Sequence, residues 1–140
     1  MAMSPYALDV AIPSDVHHIE GIVAQVTARC ADFNYPPRML ALNVPVALTE
    51  ALANAILRGN RCQLGSVVRI RARVDDVKLE VEVADEGEGF DLEASTVDPT
   101  TADRLEEEDG RGLFLMRALV DSVEQYMDGG NVVRFTLLRT

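Results

Sequence analysis

An aspartate followed by two closely spaced glycines is the feature of this sequence that most directly indicates chemistry. Asp85 ends a run in which valine and glutamate alternate, which predicts a β-strand, and Gly87 and Gly89 follow it. Glycines let a backbone approach another molecule closely. A carboxylate above such a thin wall faces a flat pocket and accepts a hydrogen bond from the amino group of adenine, whereas it repels the O6 acceptor of guanine. An Asp-x-Gly-x-Gly turn also ends strands for backbone reasons alone.

A second pair of polar residues lies within an apolar stretch that favours a helix. Glu50 and Asn54 are four residues apart and therefore lie one turn apart on the same helix face. The amide oxygen of Asn54 is a hard, neutral ligand for Mg²⁺, and Glu50 can orient or deprotonate a nucleophile beside that metal. A solvated polar stripe would have the same spacing.

A third candidate is the segment Gly110–Arg111–Gly112 before an apolar run with helical period. Free N–H groups at a helix N-terminus favour phosphate, and glycines admit its close approach. Glycine before a helix is also commonplace, and no P-loop pattern occurs in the chain. The segment therefore gains meaning only beside the other two.

Hydrophobic periodicity and turn residues predict the elements that position these side chains. Strands are expected at 7–12, 66–74, 78–83, 124–127 and 132–138. Helices are expected from 16 to between 31 and 34, from about 38 to 58, and over 113–123. Residues 91–109 lose periodicity, and a loop of that length in a compact domain is typical of a functional lid.

Composition limits the classes of protein that fit. With 140 residues, 48% of them hydrophobic, the chain is expected to form one domain. The net charge of −10 comes from the segment between Asp85 and Asp109, which holds eleven acidic residues and one basic residue, Arg104, so nucleic acid is not an expected partner. No apolar run is expected to cross a bilayer, and the N-terminus lacks the features of a secretory signal. We therefore expect a cytoplasmic protein without a membrane partner.

The three motifs also occur in a diagnostic order. Glu50-x₃-Asn54-Ala55 is followed by Asp85-x-Gly87-x-Gly89-Phe90, and then by a long loop and Gly110-x-Gly112-Leu113. In this combination the chain resembles the Bergerat (GHKL, histidine-kinase-like) superfamily of ATP-binding domains. It looks most like the small anti-sigma-factor serine kinases, because the resemblance covers about residues 7–139 and leaves no room in this chain for a transducer or a histidine-bearing dimerisation domain.

The resemblance implies a fold and a bound nucleotide. The expected fold is an α/β (α+β) two-layer sandwich, in which a mixed, mostly antiparallel sheet is covered on one face by three helices. It forms a single ATP-binding domain over residues 1–140 with a lid at about 91–112. ATP and Mg²⁺ would lie between the helices and the lid.

The family's motifs also imply a role for each candidate residue. Asp85 is expected to bind the adenine amino group above Gly87 and Gly89, Asn54 to bind Mg²⁺, and Glu50 to act as the catalytic base. The other expected nucleotide-binding residues are Arg104, Gly110, Arg111, Gly112 and Leu113.

The function implied by the resemblance is a protein serine/threonine kinase that phosphorylates an anti-anti-sigma partner and sequesters a sigma factor; a homodimer is also allowed. Two alternatives stay open: an ATP-gated protein-binding module without phosphoryl transfer, and the detached ATP-binding half of a two-component histidine kinase. Three features depart from the family pattern. Arg58 stands where many relatives have His, Asn131 stands where a Thr often helps to hold the adenine, and the acidic lid should disfavour ATP unless Mg²⁺, Arg104 or Arg111 offsets its charge.

Overall fold

The computed structural model describes residues 4–61, 63, 65–87 and 108–140, and over 108–113 it describes the backbone alone. The strands are β1 (Tyr6–Pro13), β2 (Val67–Val74), β3 (Lys78–Asp85), β4 (Ser122–Met127) and β5 (Asn131–Leu138). The helices are α1 (Ile19–Asp32), α2 (Val44–Asn54) and α3 (Glu108–Leu119). Two π-helical turns, Met39–Asn43 and Ala55–Gly59, extend α2 at its two ends.

The five strands form one sheet in the order β1-β2-β3-β5-β4. Each neighbouring pair is antiparallel, so the sheet that we expected to be mixed is antiparallel throughout the described residues. The chain needs no parallel crossover there, because β2 and β3, and likewise β4 and β5, are joined by short turns. The two-layer α+β class predicted from the sequence is confirmed, with the five-stranded sheet and the three helices.

Alternation along the strands separates the two faces of the sheet. In β2 every second residue is buried, and the residues between them are exposed and include Arg69, Arg71 and Arg73. The buried face packs with the helices into one apolar core. The largest fully buried side chains are Phe135, Leu48, Leu52, Ile56, Ile70, Leu79, Met116 and Leu137.

The first helix begins slightly later than its periodicity predicts. Asp15 accepts a hydrogen bond from the backbone N–H of His17 and so caps a short 3₁₀ turn, Val16–His18, that precedes α1. Val16 is 43% exposed because it belongs to this turn. The helix buries Ile19, Ile22 and Val26 as the spacing predicts.

The central helical segment Met39–Gly59 corrects one expectation. It is 21 residues long and apolar enough, by length and composition alone, to cross a membrane, although we expected no such segment. Core helices of globular domains pass the same test when they are buried on several sides. Here Ala47, Leu48 and Leu52 are buried in the core.

The third helix is displaced towards the N-terminus relative to its prediction over 113–123. It spans Glu108–Leu119, and β4 already begins at Ser122. Ser122 and Val123 pair with Thr136 and Phe135 of β5, and this ladder overrides the local helical period. Gly110–Arg111–Gly112 therefore lies within the first turns of the helix and not before it.

Candidate functional site

Asp85 is the last residue of β3, the central strand of the sheet, and its side chain is buried. Asp85 pairs with Asn131, the first residue of β5, and only 4% of the surface of Asp85 is exposed. One carboxylate oxygen, Oδ1, accepts a hydrogen bond of 2.7 Å from the backbone N–H of Gly87. The other, Oδ2, accepts a longer one of 3.4 Å from Nδ2 of Asn131. Burial raises the pKa of Asp85, and these donors offset only part of that effect.

Three glycines allow close packing around Asp85. A Cβ at Gly59, in the π-helical turn after α2, would lie 2.1 Å from Oδ2 of Asp85. A Cβ at Gly87 would lie 2.4 Å from the carbonyl oxygen of Gly59, and one at Gly130 would lie 2.1 Å from the backbone oxygen of Asp85. Gly59 was not among the site residues predicted from the sequence. No local signal indicates this role, because the contact joins residues 26 positions apart.

The π-helical turn after α2 brings Gly59 into line with the polar side chains of that helix. The backbone N–H of Asn60 donates to the carbonyl of Ala55 at 2.9 Å, the i+5 bond that defines such a turn. Residues five apart therefore superpose there, as residues four apart do in an α-helix. Glu50, Asn54 and Gly59 thus follow one another along one side of the helical segment over roughly 13 Å. The face runs from the Asp85 carboxylate to Asn54 and then to Glu50.

Asn54 is suited to hold a cation. The residue is only 8% exposed, and its Oδ1 lacks a hydrogen-bond partner among the described residues. A buried acceptor left in this state costs free energy unless a ligand supplies a positive group. The described part of the chain contains no cluster of three His, Cys, Asp or Glu side chains that could bind a metal without other help. Asn54 therefore fits a Mg²⁺ ion that takes its remaining ligands from phosphate and water.

Glu50 lies one turn before Asn54 and is half-buried. Burial raises the pKa of its carboxyl group. A carboxylate with a raised pKa is a better proton acceptor, provided that it stays ionised at the working pH. The environment of Glu50 is thus compatible with the role of a general base.

Asn60 holds the end of the central helix against three strands. Its Nδ2 donates to Oγ of Ser14 after β1, at 2.7 Å, and to the carbonyl of Val67 in β2, at 2.8 Å. Its Oδ1 accepts from the backbone N–H of Glu86, just after β3, at 2.7 Å. A buried amide with these partners is well satisfied and fixes its neighbours. Gly59 is therefore held beside Asp85 by a residue that is itself anchored.

The other predicted site residues divide into two groups. Gly89, Arg104 and residues 91–107 of the predicted lid lie outside the described residues. Gly110, Arg111, Gly112 and Leu113 lie in α3, of which only the backbone is described at these positions. The structure therefore places Glu50 and Asn54 on the helix face that ends at Asp85 and Gly87, while the phosphate-binding residues stay predictions.

The antiparallel sheet, its three helices and the polar face of the central helix define a histidine kinase-like ATPase domain. Residues 12–137 match that family, the histidine kinase-like ATPase domain, and the chain belongs to it. The anti-sigma F factor of Caldanaerobacter subterraneus subsp. tengcongensis is 34% identical over 97 residues, which are 67% of each chain. The serine-protein kinase RsbW of Bacillus subtilis is 36% identical over 100 residues, which are 67% of this chain and 62% of that one.

A solved structure shows the same fold. The RsbU and RsbW domains of Rv1364c from Mycobacterium tuberculosis match with a TM-score of 0.65 and 17% identity, over 95% of this chain and 32% of the longer mycobacterial chain. The two relatives named above, at 34% and 36% identity, confirm the likeness to the anti-sigma-factor serine kinases that the motifs predict.

Proposed function

We propose that this protein is a Mg-ATP-binding regulatory serine/threonine kinase of the anti-sigma-factor type. It phosphorylates an anti-anti-sigma protein and sequesters a sigma factor, and it acts in the cytoplasm. The observation that carries the proposal is the buried Asp85 carboxylate against Gly59, at the end of a helix face that also bears Asn54 and Glu50. The names of the relatives support the proposed partners.

Each residue of that face has a binding role in the proposal. Asp85 accepts the adenine amino group, and the backbone around Gly87 and Gly89 forms the wall beneath the base. Asn54 supplies a ligand to Mg²⁺, as its unpartnered Oδ1 favours. When bound, Mg²⁺ neutralises charge on the phosphate oxygens.

Glu50 supplies the proton acceptor for transfer. The serine hydroxyl oxygen of the partner forms a bond to the γ-phosphorus, the bond from that phosphorus to the β–γ bridging oxygen breaks, and ADP leaves. The hydroxyl proton passes to the Glu50 carboxylate. The raised pKa of Glu50 supports this role, because it strengthens the base.

The remaining candidate residues complete the proposed domain. We assign the phosphates to Gly110, Arg111, Gly112 and Leu113 of α3, together with Arg104 of the lid at about 91–112. The whole of residues 1–140 then forms one ATP-binding domain.

The test is Glu50→Gln, which keeps the shape of the side chain and removes the base. With [γ-³²P]ATP and the partner recovered with the protein from its host, phosphoryl transfer should fall by roughly 10²–10⁴-fold. ATP affinity and partner capture should stay within about twofold of the wild type. Glu20→Gln, on the exposed side of α1, is the matched control and should transfer at the wild-type rate. Transfer by Glu50→Gln at that rate would show that another group is the base.

A binding module that ATP gates without chemistry is the second candidate. The relatives named anti-sigma F factor favour it, since that name describes binding to a sigma factor. A wild-type protein that binds both ATP and partner but transfers no phosphate would establish this alternative and contradict the kinase assignment.

A further inference from the structure

A chain of side-chain hydrogen bonds reaches Asp85 from the outer strand β4. Nε2 of Gln125 donates to Oδ1 of Asn131, and Nδ2 of Asn131 donates to Oδ2 of Asp85. Gln125 pairs with Val133 in the sheet and so lies diagonally across from Asn131 on the same buried face. Asn131 is only 1% exposed, so water has little access to its amide.

The direction of this chain follows from the charge on Asp85. An ionised carboxylate only accepts hydrogen bonds, so the amide of Asn131 must turn its NH₂ group towards it. The Oδ1 atom then faces the other way, towards Gln125, where it needs a donor. A reversed amide would place an oxygen against the carboxylate and leave its own NH₂ group without an acceptor.

An asparagine amide has a fixed donor end and a fixed acceptor end. With its NH₂ group on the Asp85 carboxylate, Asn131 is left with a buried Oδ1 that needs a donor of its own. Gln125 supplies that donor through Nε2 and so favours the same orientation of the amide.

We propose that Gln125 is a positioning residue for adenine recognition. It fixes the amide of Asn131, which in turn holds the Asp85 carboxylate in the orientation that receives the exocyclic amino group of the base. The inference rests on the proposed ATP-binding function. Neither residue touches the phosphates in this scheme.

The test compares Mg·ATP with the Mg·triphosphate of purine riboside, which differs from ATP in lacking the 6-amino group. The ratio of the two dissociation constants isolates the contact with Asp85, because effects on phosphate binding cancel. Wild type should prefer ATP by about tenfold or more, the usual value of a hydrogen bond to a charged group. Gln125→Leu should reduce that ratio by about threefold to tenfold, while the affinity for the purine analogue changes less than twofold.

Two further variants sharpen the result. Gln125→Lys keeps a donor beside Oδ1 of Asn131 and should retain the wild-type ratio. Gln125→Glu offers only an acceptor, turns the amide around and should lower the ratio at least as far as leucine does. Glu124→Gln, the adjacent residue of β4 on the opposite face, is the matched control and should leave both affinities unchanged.

Each other outcome counts against a particular claim. An unchanged ratio in Gln125→Leu and Gln125→Glu overturns the role of Gln125 and leaves ATP binding intact. Equal loss of both ligands in these variants shows that Gln125 is merely structural. A wild type that binds the two ligands equally removes the adenine contact on which the inference depends, and a wild type that binds neither overturns the proposed function as well.

Discussion

Asp75 lies in the turn before β3 and Asp85 ends that strand, and their carboxylates are hydrogen-bonded in different ways. Oδ1 of Asp75 accepts hydrogen bonds from the backbone N–H groups of Val77 and Lys78, each at 2.8 Å, and Oδ2 accepts one from Arg73 at 3.1 Å. These donors lower the pKa of Asp75, the largest contribution coming from Lys78. Asp85 has one short and one long hydrogen bond, and burial raises its pKa.

The contrast separates a carboxylate that closes a turn from one that, in the proposed function, binds a ligand. The three hydrogen bonds of Asp75 close the β2–β3 turn, which is a complete structural task. Asp85 is more deeply buried and has fewer donors, so its charge costs stability in the empty protein. Carboxyls whose pKa is raised by burial in this way concentrate at functional sites.

The polar groups near the two aspartates differ in the same way in their hydrogen bonding. Near Asp75 the hydroxyl of buried Tyr35 donates to the Asp75 carbonyl at 2.9 Å, and Arg139 donates to the carbonyl of Phe33 at 3.0 Å. On the helix face that leads to Asp85, Oδ1 of Asn54 has no partner among the described residues. The polar groups named around Asp75 are thus all hydrogen-bonded, whereas the helix face that leads to Asp85 retains an acceptor without a partner.

The largest expected effect is that of Asp85→Asn on nucleotide affinity. Replacing the carboxylate by an amide removes the charged acceptor for the adenine amino group, so the dissociation constant for Mg·ATP should rise by about 10–150-fold. Asp75→Asn should change it by less than about twofold. Calorimetric titration measures both dissociation constants. Equal changes in the two variants would contradict the assignment of different roles to the two aspartates.

Gly59→Ala tests the space in which the Asp85 carboxylate lies. The new Cβ would collide with that carboxylate, so the free energy of unfolding should fall by about 1–3 kcal/mol and ATP should bind more weakly. Gly21→Ala in α1 is the matched control, because nothing lies within 4 Å of its Cβ position; it should raise the free energy of unfolding by about 0.5–1 kcal/mol. Urea denaturation measures both. Equal stability of the two variants would show that the close packing at Gly59 is not required.

Asn54→Ala tests the unpartnered amide oxygen. With Mg²⁺ present, ATP affinity should fall by about tenfold, the lower end of the effect of removing a group that supports a bound metal. In EDTA the wild type and the variant should bind ATP equally, because the metal is absent from both titrations. An equal loss in both conditions would make Asn54 a structural residue.

The dependence of stability on pH should differ in sign between the two aspartates. The lowered pKa of Asp75 stabilises the fold above its ordinary value of about 4, and this stabilisation is lost as the pH falls through the folded-state pKa. The raised pKa of Asp85 has the opposite effect, because its cost appears as the pH rises from about 4 through the folded-state value.

The difference in denaturation midpoint between each variant and the wild type should therefore change with pH, by a small amount and with opposite signs for the two aspartates. From pH 3 to 4 Asp75→Asn should lose stability relative to wild type, and from pH 4 to 7 Asp85→Asn should gain it. Parallel curves for wild type and Asp85→Asn would show that burial does not perturb this carboxyl.

The sequence predicts most of the elements because their patterns are local. The alternation in β2 and β3 and the turn at Asp75 specify a hairpin without further information. The spacing of Glu50 and Asn54 likewise specifies a shared face, because helical geometry is fixed over four residues. The order of the three motifs was sufficient to predict the family.

The remaining features depend on contacts between distant residues. The role of Gly59 arises only when Asp85 packs against it, and the π-helical turn that places Gly59 in line with Asn54 has no recognisable pattern in the sequence. The start of β4 at Ser122 depends on pairing with β5, which competes with a helical period that would continue to Val123. Such outcomes are set by tertiary structure and not by local propensity.

The central claim is that the buried end of β3 is an adenine site, and calorimetric titration of the wild-type protein with Mg·ATP and Mg·GTP tests it most directly. In the proposed site the Asp85 carboxylate would accept a hydrogen bond from the amino group of adenine and repel the O6 atom of guanine. ATP should therefore bind at least about tenfold more tightly than GTP. Equal affinities for the two nucleotides, or a preference for GTP, would contradict the claim.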